Sequence, residues 1–332
     1  MKKSGFPCLT AAMGMILLVS LVHRENVHAS DCGRTSTGLV PLTELGSGTY
    51  QGYLGGLYAD GENVRPVGHQ QAGLEQSLKV VPRKAGGKPK SKGRIVLLSI
   101  GMSNTTQEFS TFKTLADADP IRNPRLVIVD GAQGGMTASS ITNPDDSKMQ
   151  VFWETVDARL AAADVTAKQV QVVWLKEADA RPTAGFPQHA ITLQHELETA
   201  VQILKQRFPN LQLVYCSSRI YAGYASTDLN PEPFAYESGF AVRWMIERQI
   251  EGSPDLNFDP IRGEVKAPWL SWGPYLWADG LNVRDDGLTW SCSDYANDGT
   301  HPAPGGARDK VARMLLDFFK TDSTASGWFL AR

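Results

Sequence analysis

Short apolar runs of strand length recur from Ile95 onward, and each stops at glycine or at a polar cluster. Ile95 to Leu98 ends at Gly101 and hands over to Ser103, Asn104, Thr105 and Thr106, a polar set that reads as a loop. Leu126 to Val129 leads into Asp130-Gly131-Ala132-Gln133-Gly134-Gly135, Val170 to Leu175 leads into Lys176-Glu177-Ala178-Asp179, and Leu211 to Cys216 makes a fourth run. Segments of helical spacing separate them. Met149 to Ala163 is one; His189 to Phe208 is another, with Leu193, Leu197, Val201 and Leu204 on one stripe that Pro209 ends. Phe234 to Ile250 is helical in pattern, and Ala303 to Lys320 repeats the spacing through Val311, Leu315 and Phe319. Strands alternating with helices predict an α/β fold, a three-layer α/β/α sandwich around a central parallel sheet.

Two regions break this rhythm. From residue 221 to 295 the pattern changes: Trp269, Trp272, Tyr275, Trp277 and Trp290 crowd a stretch interrupted by Pro268, Gly273 and Pro274, which predicts an aromatic-rich insertion or lid within a main domain over residues 93–322. Residues 30–92 are rich in Gly and Pro, show helical periodicity only over Gln70 to Val81, and end in the basic turn-rich segment RKAGGKPKSKGR, so they predict an N-terminal extension. Leu57-Tyr58-Ala59-Asp60-Gly61-Glu62-Asn63-Val64-Arg65 is echoed by Leu276-Trp277-Ala278-Asp279-Gly280-Leu281-Asn282-Val283-Arg284. Two copies make a pair of similar Asp-Gly turns rather than a repeat array.

Ahead of the extension, Lys2 and Lys3 precede an apolar stretch around Leu9 to Val22, and Val27-His28-Ala29 offers a small-residue cleavage site. This predicts a signal peptide over residues 1–29 and a secreted or periplasmic product, with no membrane association after cleavage. A net charge of -2 over 332 residues, 20% of them charged, gives no electrostatic reason to expect nucleic acid as a partner. Export permits disulfides, and the mature chain keeps three cysteines, Cys32, Cys216 and Cys292. Cys216 sits in a strand-like run as a small buried thiol, which leaves Cys32 and Cys292 as a possible pair.

Chemistry enters at the strand ends, where open α/β sheets place their sites. Ser103 lies two residues past Gly101 and is the candidate nucleophile. A serine needs a base, and the mature chain offers His69, His189, His195 and His301. His189 and His195, six apart on one helix, point to different faces and make no metal pair. His301 stands before a helix with Asp298 three residues earlier, so that a carboxylate would hold the imidazole in the tautomer that accepts the serine proton.

These residues resemble the SGNH (GDSL-like) hydrolase superfamily, whose fold is flavodoxin-like, and within it the branch of sialate O-acetylesterase-like enzymes. Gly101-Met102-Ser103-Asn104 is similar to that branch's nucleophile block, Gly134 to its oxyanion glycine, and Asp298-x-x-His301 to its last block. The likeness covers roughly Gly93 to Lys320. It implies Ser103, His301 and Asp298 as catalytic, Gly134 as an oxyanion donor and Asn104 beside the substrate. The third block departs from the pattern: where the family has an amide donor, this chain has Lys176 and Glu177, of which Lys176 is the favoured substitute donor and a protonated Glu177 the alternative.

The resemblance implies acyl transfer by a serine esterase that needs neither metal nor organic cofactor, acting on a small-molecule or glycan ester. Trp272 and Trp277 are expected to stack on an acylated sugar, with O-acetyl groups as the scissile esters. A lipid or thioester hydrolase and a catalytically weak glycan-binding protein on the same scaffold are the alternatives.

Overall fold

The computed structural model describes residues 1–2 and 29–331. The signal peptide expected over residues 1–29 lies, but for its ends, outside the described residues. Five strands form one parallel sheet: β1 Ile95–Gly101, β2 Leu126–Asp130, β3 Val170–Lys176, β4 Leu213–Cys216 and β5 Trp269–Trp272. Their order across the sheet is β2-β1-β3-β4-β5. The chain therefore leaves β1 in one direction and continues from β3 in the other, so the crevice beyond their carboxyl ends is the expected place for a site.

Six longer helices accompany the sheet: α1 Val67–Ser77, α2 Ser103–Ala118, α3 Ser147–Ala162, α4 Gln188–Arg207, α5 Phe234–Ile250 and α6 Ala307–Thr321. Right-handed crossovers in opposite directions put α2 and α3 on opposite faces. On the α2 face, Phe109 stacks on Trp174 of β3 with ring centroids 5.6 Å apart, while Phe318 and Phe319 of α6 meet Tyr215 of β4. On the other face α4 packs along α5. All seven residues of β1 and of β3 are buried, which is why they show no alternation and are mostly apolar, with Ser99, Gln171 and Lys176 the exceptions.

Two expectations are corrected. The polar set after Gly101 is not a loop: Ser103 is the first residue of α2, whose buried Phe109, Phe112 and Ala116 recur at helical spacing further along. Each such phenylalanine contributes about 1.5–3 kcal/mol by leaving water. Nor is 221–295 an insertion throughout, since it supplies α5 and the edge strand β5, which pairs with β4 from Leu213↔Trp269 to Cys216↔Trp272. Pro268 and Gly273 sit just outside β5, where no ladder hydrogen bond is lost, and its Trp-Leu-Ser-Trp sequence carries no β-branched residue to mark it.

The N-terminal segment lies against the sheet domain. Cys32 and Cys292 are joined by a disulfide with Cα atoms 5.3 Å apart, and Cys216 is a free buried thiol. The carboxylate of Asp279 accepts from the Ser36 hydroxyl at 2.5 Å and the Thr37 N–H at 2.6 Å, while Asp60, its counterpart in the echoed segment, stays in an exposed turn. Further on, His69 stacks on Trp269 at 4.9 Å and Arg65 lies over the same ring at 5.1 Å. Among the described residues no helix is long and apolar enough to cross a membrane.

Candidate active site

The serine loop and the histidine loop meet because β1 turns sharply into α2. A Cβ on Gly101 would stand 2.3 Å from the carbonyl oxygen of Lys176 and 2.3 Å from the Thr105 hydroxyl, so only glycine lets the helix start this close to β3. Thr105 then donates to that carbonyl at 2.7 Å. Ser103 consequently opens α2 over the end of the sheet, with its N–H among the unpaired donors of the first turn; Met102 provides no side-chain cap.

Ser103 Oγ lies 2.9 Å from Nε2 of His301, and Nδ1 of His301 lies 2.5 Å from Oδ2 of Asp298. The other oxygen of Asp298 accepts the backbone N–H groups of Thr300 and His301, each at 3.0 Å. Burial pushes the Asp298 carboxyl up, but the hydrogen bonds from the His301 ring, from its backbone and from Thr300 outweigh that and hold it well below the usual carboxylate range. An ionised Asp298 keeps the proton of the imidazole on Nδ1. Nε2 is then bare and accepts from the serine hydroxyl.

The loop carrying Asp298 and His301 is fixed from several sides. Gly299, at φ +62°, would bring a Cβ within 1.9 Å of the Tyr224 carbonyl oxygen. The Ser226 N–H donates to the Asp298 carbonyl at 3.0 Å, the Thr227 and Thr300 hydroxyls are 2.8 Å apart, and the Ala296 N–H donates to the His301 carbonyl at 2.8 Å. Asn104 donates through Nδ2 to the Thr300 carbonyl at 3.0 Å. It is buried, so it ties α2 to the histidine loop instead of reaching substrate, as the sequence had suggested.

Gly134 lies beside the nucleophile: a Cβ there would stand 3.7 Å from Cβ of Ser103. The loop is drawn in by the Gln133 N–H, which donates to the Gly101 carbonyl at 2.9 Å. The structure thus brings together Ser103, His301, Asp298 and Gly134, and besides Asn104 it sends three other expected site residues elsewhere.

Lys176 is the first. Its ammonium is buried on the α2 face and donates to both carboxylate oxygens of Glu108, at 2.7 and 2.5 Å, so it serves α2 and not an oxyanion. Burial pushes the lysine down and the glutamate up, and each partner opposes the shift in the other. Glu177, one residue on, is buried as well. Its Oε2 accepts the Ala178 N–H, and burial raises the carboxyl well above its ordinary range.

Trp272 and Trp277 are the other two. Both rings are buried, with the Trp272 indole N–H on the Leu57 carbonyl at 2.7 Å and that of Trp277 on Glu232 at 2.8 Å. Trp269 and Trp290 are committed in the same way, to the carbonyls of His69 and Leu276. Trp269 and Trp272 pack between the sheet and the N-terminal segment, while Trp277 packs on Tyr221 and Tyr236 and Trp290 on Tyr295, so none offers a face to a sugar. Among the described residues no group of three or more His, Cys, Asp or Glu side chains is placed to hold a metal ion.

No family model and no curated protein matches the chain. Among solved structures it is similar to a proposed acylhydrolase from Bacteroides fragilis, at 13% identity and a TM-score of 0.40, over 78% of this chain and 100% of that one. It is also similar to a proposed SGNH hydrolase from Slackia heliotrinireducens, at 17% identity and a TM-score of 0.33, over 68% of this chain and 99% of that one. A third likeness is to the periplasmic domain of a lipopolysaccharide acetyltransferase from Salmonella ser. Paratyphi A, at 12% identity and a TM-score of 0.36, over 76% of this chain and 94% of that one. At such identities and scores they are no basis for an activity, which has to be argued from the site.

Proposed function

We propose that this chain is an exported serine esterase of SGNH type that transfers an acyl group from an ester to water through Ser103. The observation that carries the reading is the continuous relay from Ser103 Oγ through His301 to Asp298, set at the open N-terminus of α2. Ser103 Oγ attacks the ester carbonyl as its proton passes to Nε2 of His301. The oxyanion that forms is met by the N–H groups of Ser103 and Gly134, aided by the positive end of the α2 dipole. Collapse breaks the bond to the alcohol, which leaves with the proton from Nε2. A water molecule then attacks the acyl-enzyme by the same route, releasing the acid and restoring the serine.

For the substrate we read an O-acetyl group on a carbohydrate. That reading rests on the resemblance of the Gly101-Met102-Ser103-Asn104 and Asp298-x-x-His301 blocks to acetylesterases, and the buried tryptophans give it no support. Export is favoured by the basic and apolar pattern of the first 29 residues and by the cross-link of Cys32 to Cys292, a bond that lasts in oxidising compartments. The test sets 4-nitrophenyl acetate, 4-nitrophenyl octanoate and an acetylated oligosaccharide side by side, with the Ser103→Ala protein as control. Acetate release that falls by about a thousandfold or more in Ser103→Ala is the expected result. Unchanged rates in that variant end the esterase reading, and faster cleavage of octanoate ends the acetyl reading alone.

A further inference from the structure

The two oxyanion donors come from separate pieces of chain. Ser103 opens α2 after β1, whereas Gly134 lies in the loop that follows β2 at Asp130. The distance between their N–H groups decides how well they fit a tetrahedral oxygen, and backbone pairing of β1 with β2 stops short of both. Something past the end of the ladder has to set it.

One carboxylate touches both pieces. Asp130 faces Ser99 across the register of β2 and β1, on the side of the sheet that α2 covers. Its Oδ1 accepts the Ser99 hydroxyl at 2.6 Å and the Ala132 N–H at 3.1 Å, and its Oδ2 accepts the hydroxyl of Thr106 on the first turn of α2. Ser99 Oγ in turn accepts the Gly131 N–H at 3.1 Å. From α3, Arg159 donates to the carbonyls of Asp130 at 2.9 Å and of Ala132 at 2.7 Å. Two residues earlier on the same face the facing pair is Leu97 and Ile128, both buried and apolar, so the polar knot begins only where the donors do.

The opposite flank of α2 is pinned to β3 by Thr105 on the Lys176 carbonyl and by Glu108 on the Lys176 ammonium. With that flank fixed, Asp130 joins the Gln133 N–H on the Gly101 carbonyl in setting how near the glycine loop lies to the first turn. Burial raises its pKa, while the hydrogen bonds from Ser99 and Thr106 and the charge of Arg159 favour the ionised form.

We propose that Asp130 is a positioning residue of the oxyanion hole, and that its carboxylate sets the gap between the N–H groups of Ser103 and Gly134. The proposal rests on the serine esterase reading. It makes Thr106 and Ser99 partners in positioning, although none of the three touches substrate.

The experiment compares Asp130→Ala, Asp130→Asn and Thr106→Val with the full-length wild-type chain. It reads kcat and KM on 4-nitrophenyl acetate, inhibition by an alkyl trifluoromethyl ketone, which forms a tetrahedral adduct on the serine, and amide hydrogen exchange. In Asp130→Ala, kcat should fall by about tenfold to a hundredfold with KM within about twofold, the loss typical of a donor displaced by an ångström or less. Affinity for the ketone should fall by a similar factor, and exchange should quicken at residues 131–134. Thr106→Val should move in the same direction by less. Asp130→Asn should keep most of the activity, because the Thr106 hydroxyl can reverse and accept from the new amide.

Undiminished kcat and ketone affinity in Asp130→Ala would overturn the proposal. So would a kcat loss matched by a KM rise, or one explained by a smaller folded fraction. A wild-type chain inactive on every ester, with exchange at 131–134 still quickened by Asp130→Ala, would instead overturn the esterase reading and leave the clasp standing as a structural tie.

Discussion

An ammonium group deprived of its counter-ion inside a protein has nowhere to go, and Lys176 is one substitution away from that state. Glu108→Gln or Lys176→Met alone should cost about 3–5 kcal/mol in urea unfolding, whereas the double variant should recover most of it, since an uncharged pair carries no desolvation debt. If Lys176 were an oxyanion donor, Lys176→Met would lower kcat in a protein of normal stability, and that combination would contradict the structure. A similar reversal holds for Trp277, whose ring is buried and whose N–H rests on Glu232. Trp277→Ala should lose about 3–5 kcal/mol of stability as a cavity opens. KM for acetylated sugars should stay at its wild-type value; a rise in KM without loss of stability would restore the stacking role. The sequence shows that a lysine or a tryptophan is near a strand end, but not which side of the sheet its side chain takes. That single bit hid the burial of Lys176 and Trp272, whereas Ser103 and His301 lie past the strand ends and needed no such choice.

At the scale of elements, α2 and β5 escaped notice for opposite reasons. The first turn of α2 is written in Ser, Asn and Thr because it serves the site, with Asn104, Thr105 and Thr106 each holding a different neighbour. Local propensity is overridden there by tertiary contacts, and only Phe109, Phe112 and Ala116 further along keep the helical period. β5 is an edge strand of four residues whose tryptophans resemble a surface feature until α1 is laid on them. The strands β1 to β4 were readable because each carries an apolar run that the few polar residues within it, such as Ser99, Gln171 and Lys176, do not break. The pairing of Cys32 with Cys292 was readable by elimination, and its consequence is local. The disulfide joins the first residues of the N-terminal segment to the short stretch leading to Asp298, where the Ser30 N–H also donates to the Asn297 carbonyl at 2.6 Å. Replacing both cysteines by serine should lower stability by about 2–5 kcal/mol, given the long loop closed. It should also lower kcat more than it changes KM, because the histidine loop loses an anchor. A double variant with unchanged kcat would show that the hydrogen bonds around Asp298 suffice on their own.

For the whole molecule, the question is what the buried acids do to stability as pH changes. Glu196 of α4 is the clearest case: burial first, and then the neighbouring carboxylate of Asp179, raise its pKa from 4.5 to about 9. The folded chain therefore keeps this proton over a range in which the unfolded chain has released it. Fewer protons on the unfolded side mean that stability falls as pH rises, here between about 4.5 and about 9. Glu196→Gln retains a group that can donate to Asp179 and has no proton to lose. Its thermal midpoint relative to the wild type should thus climb steadily across that window and level off on either side. A difference that stays flat with pH would mean that Glu196 titrates as an ordinary surface carboxyl. The effect reaches the site by a short path, because Asp179 accepts the backbone N–H of Ser139 at 3.0 Å and its hydroxyl at 2.8 Å. Ser139 belongs to the helix Ala138–Thr142, four residues beyond the Gly134 to Gly135 turn. Ionising Glu196 sets two carboxylates against each other at that anchor. Esterase activity in the wild type should then decline above neutral pH before the sheet unfolds, and Glu196→Gln should extend the active range upward, which a pH profile of kcat on 4-nitrophenyl acetate, corrected for spontaneous hydrolysis, would register directly.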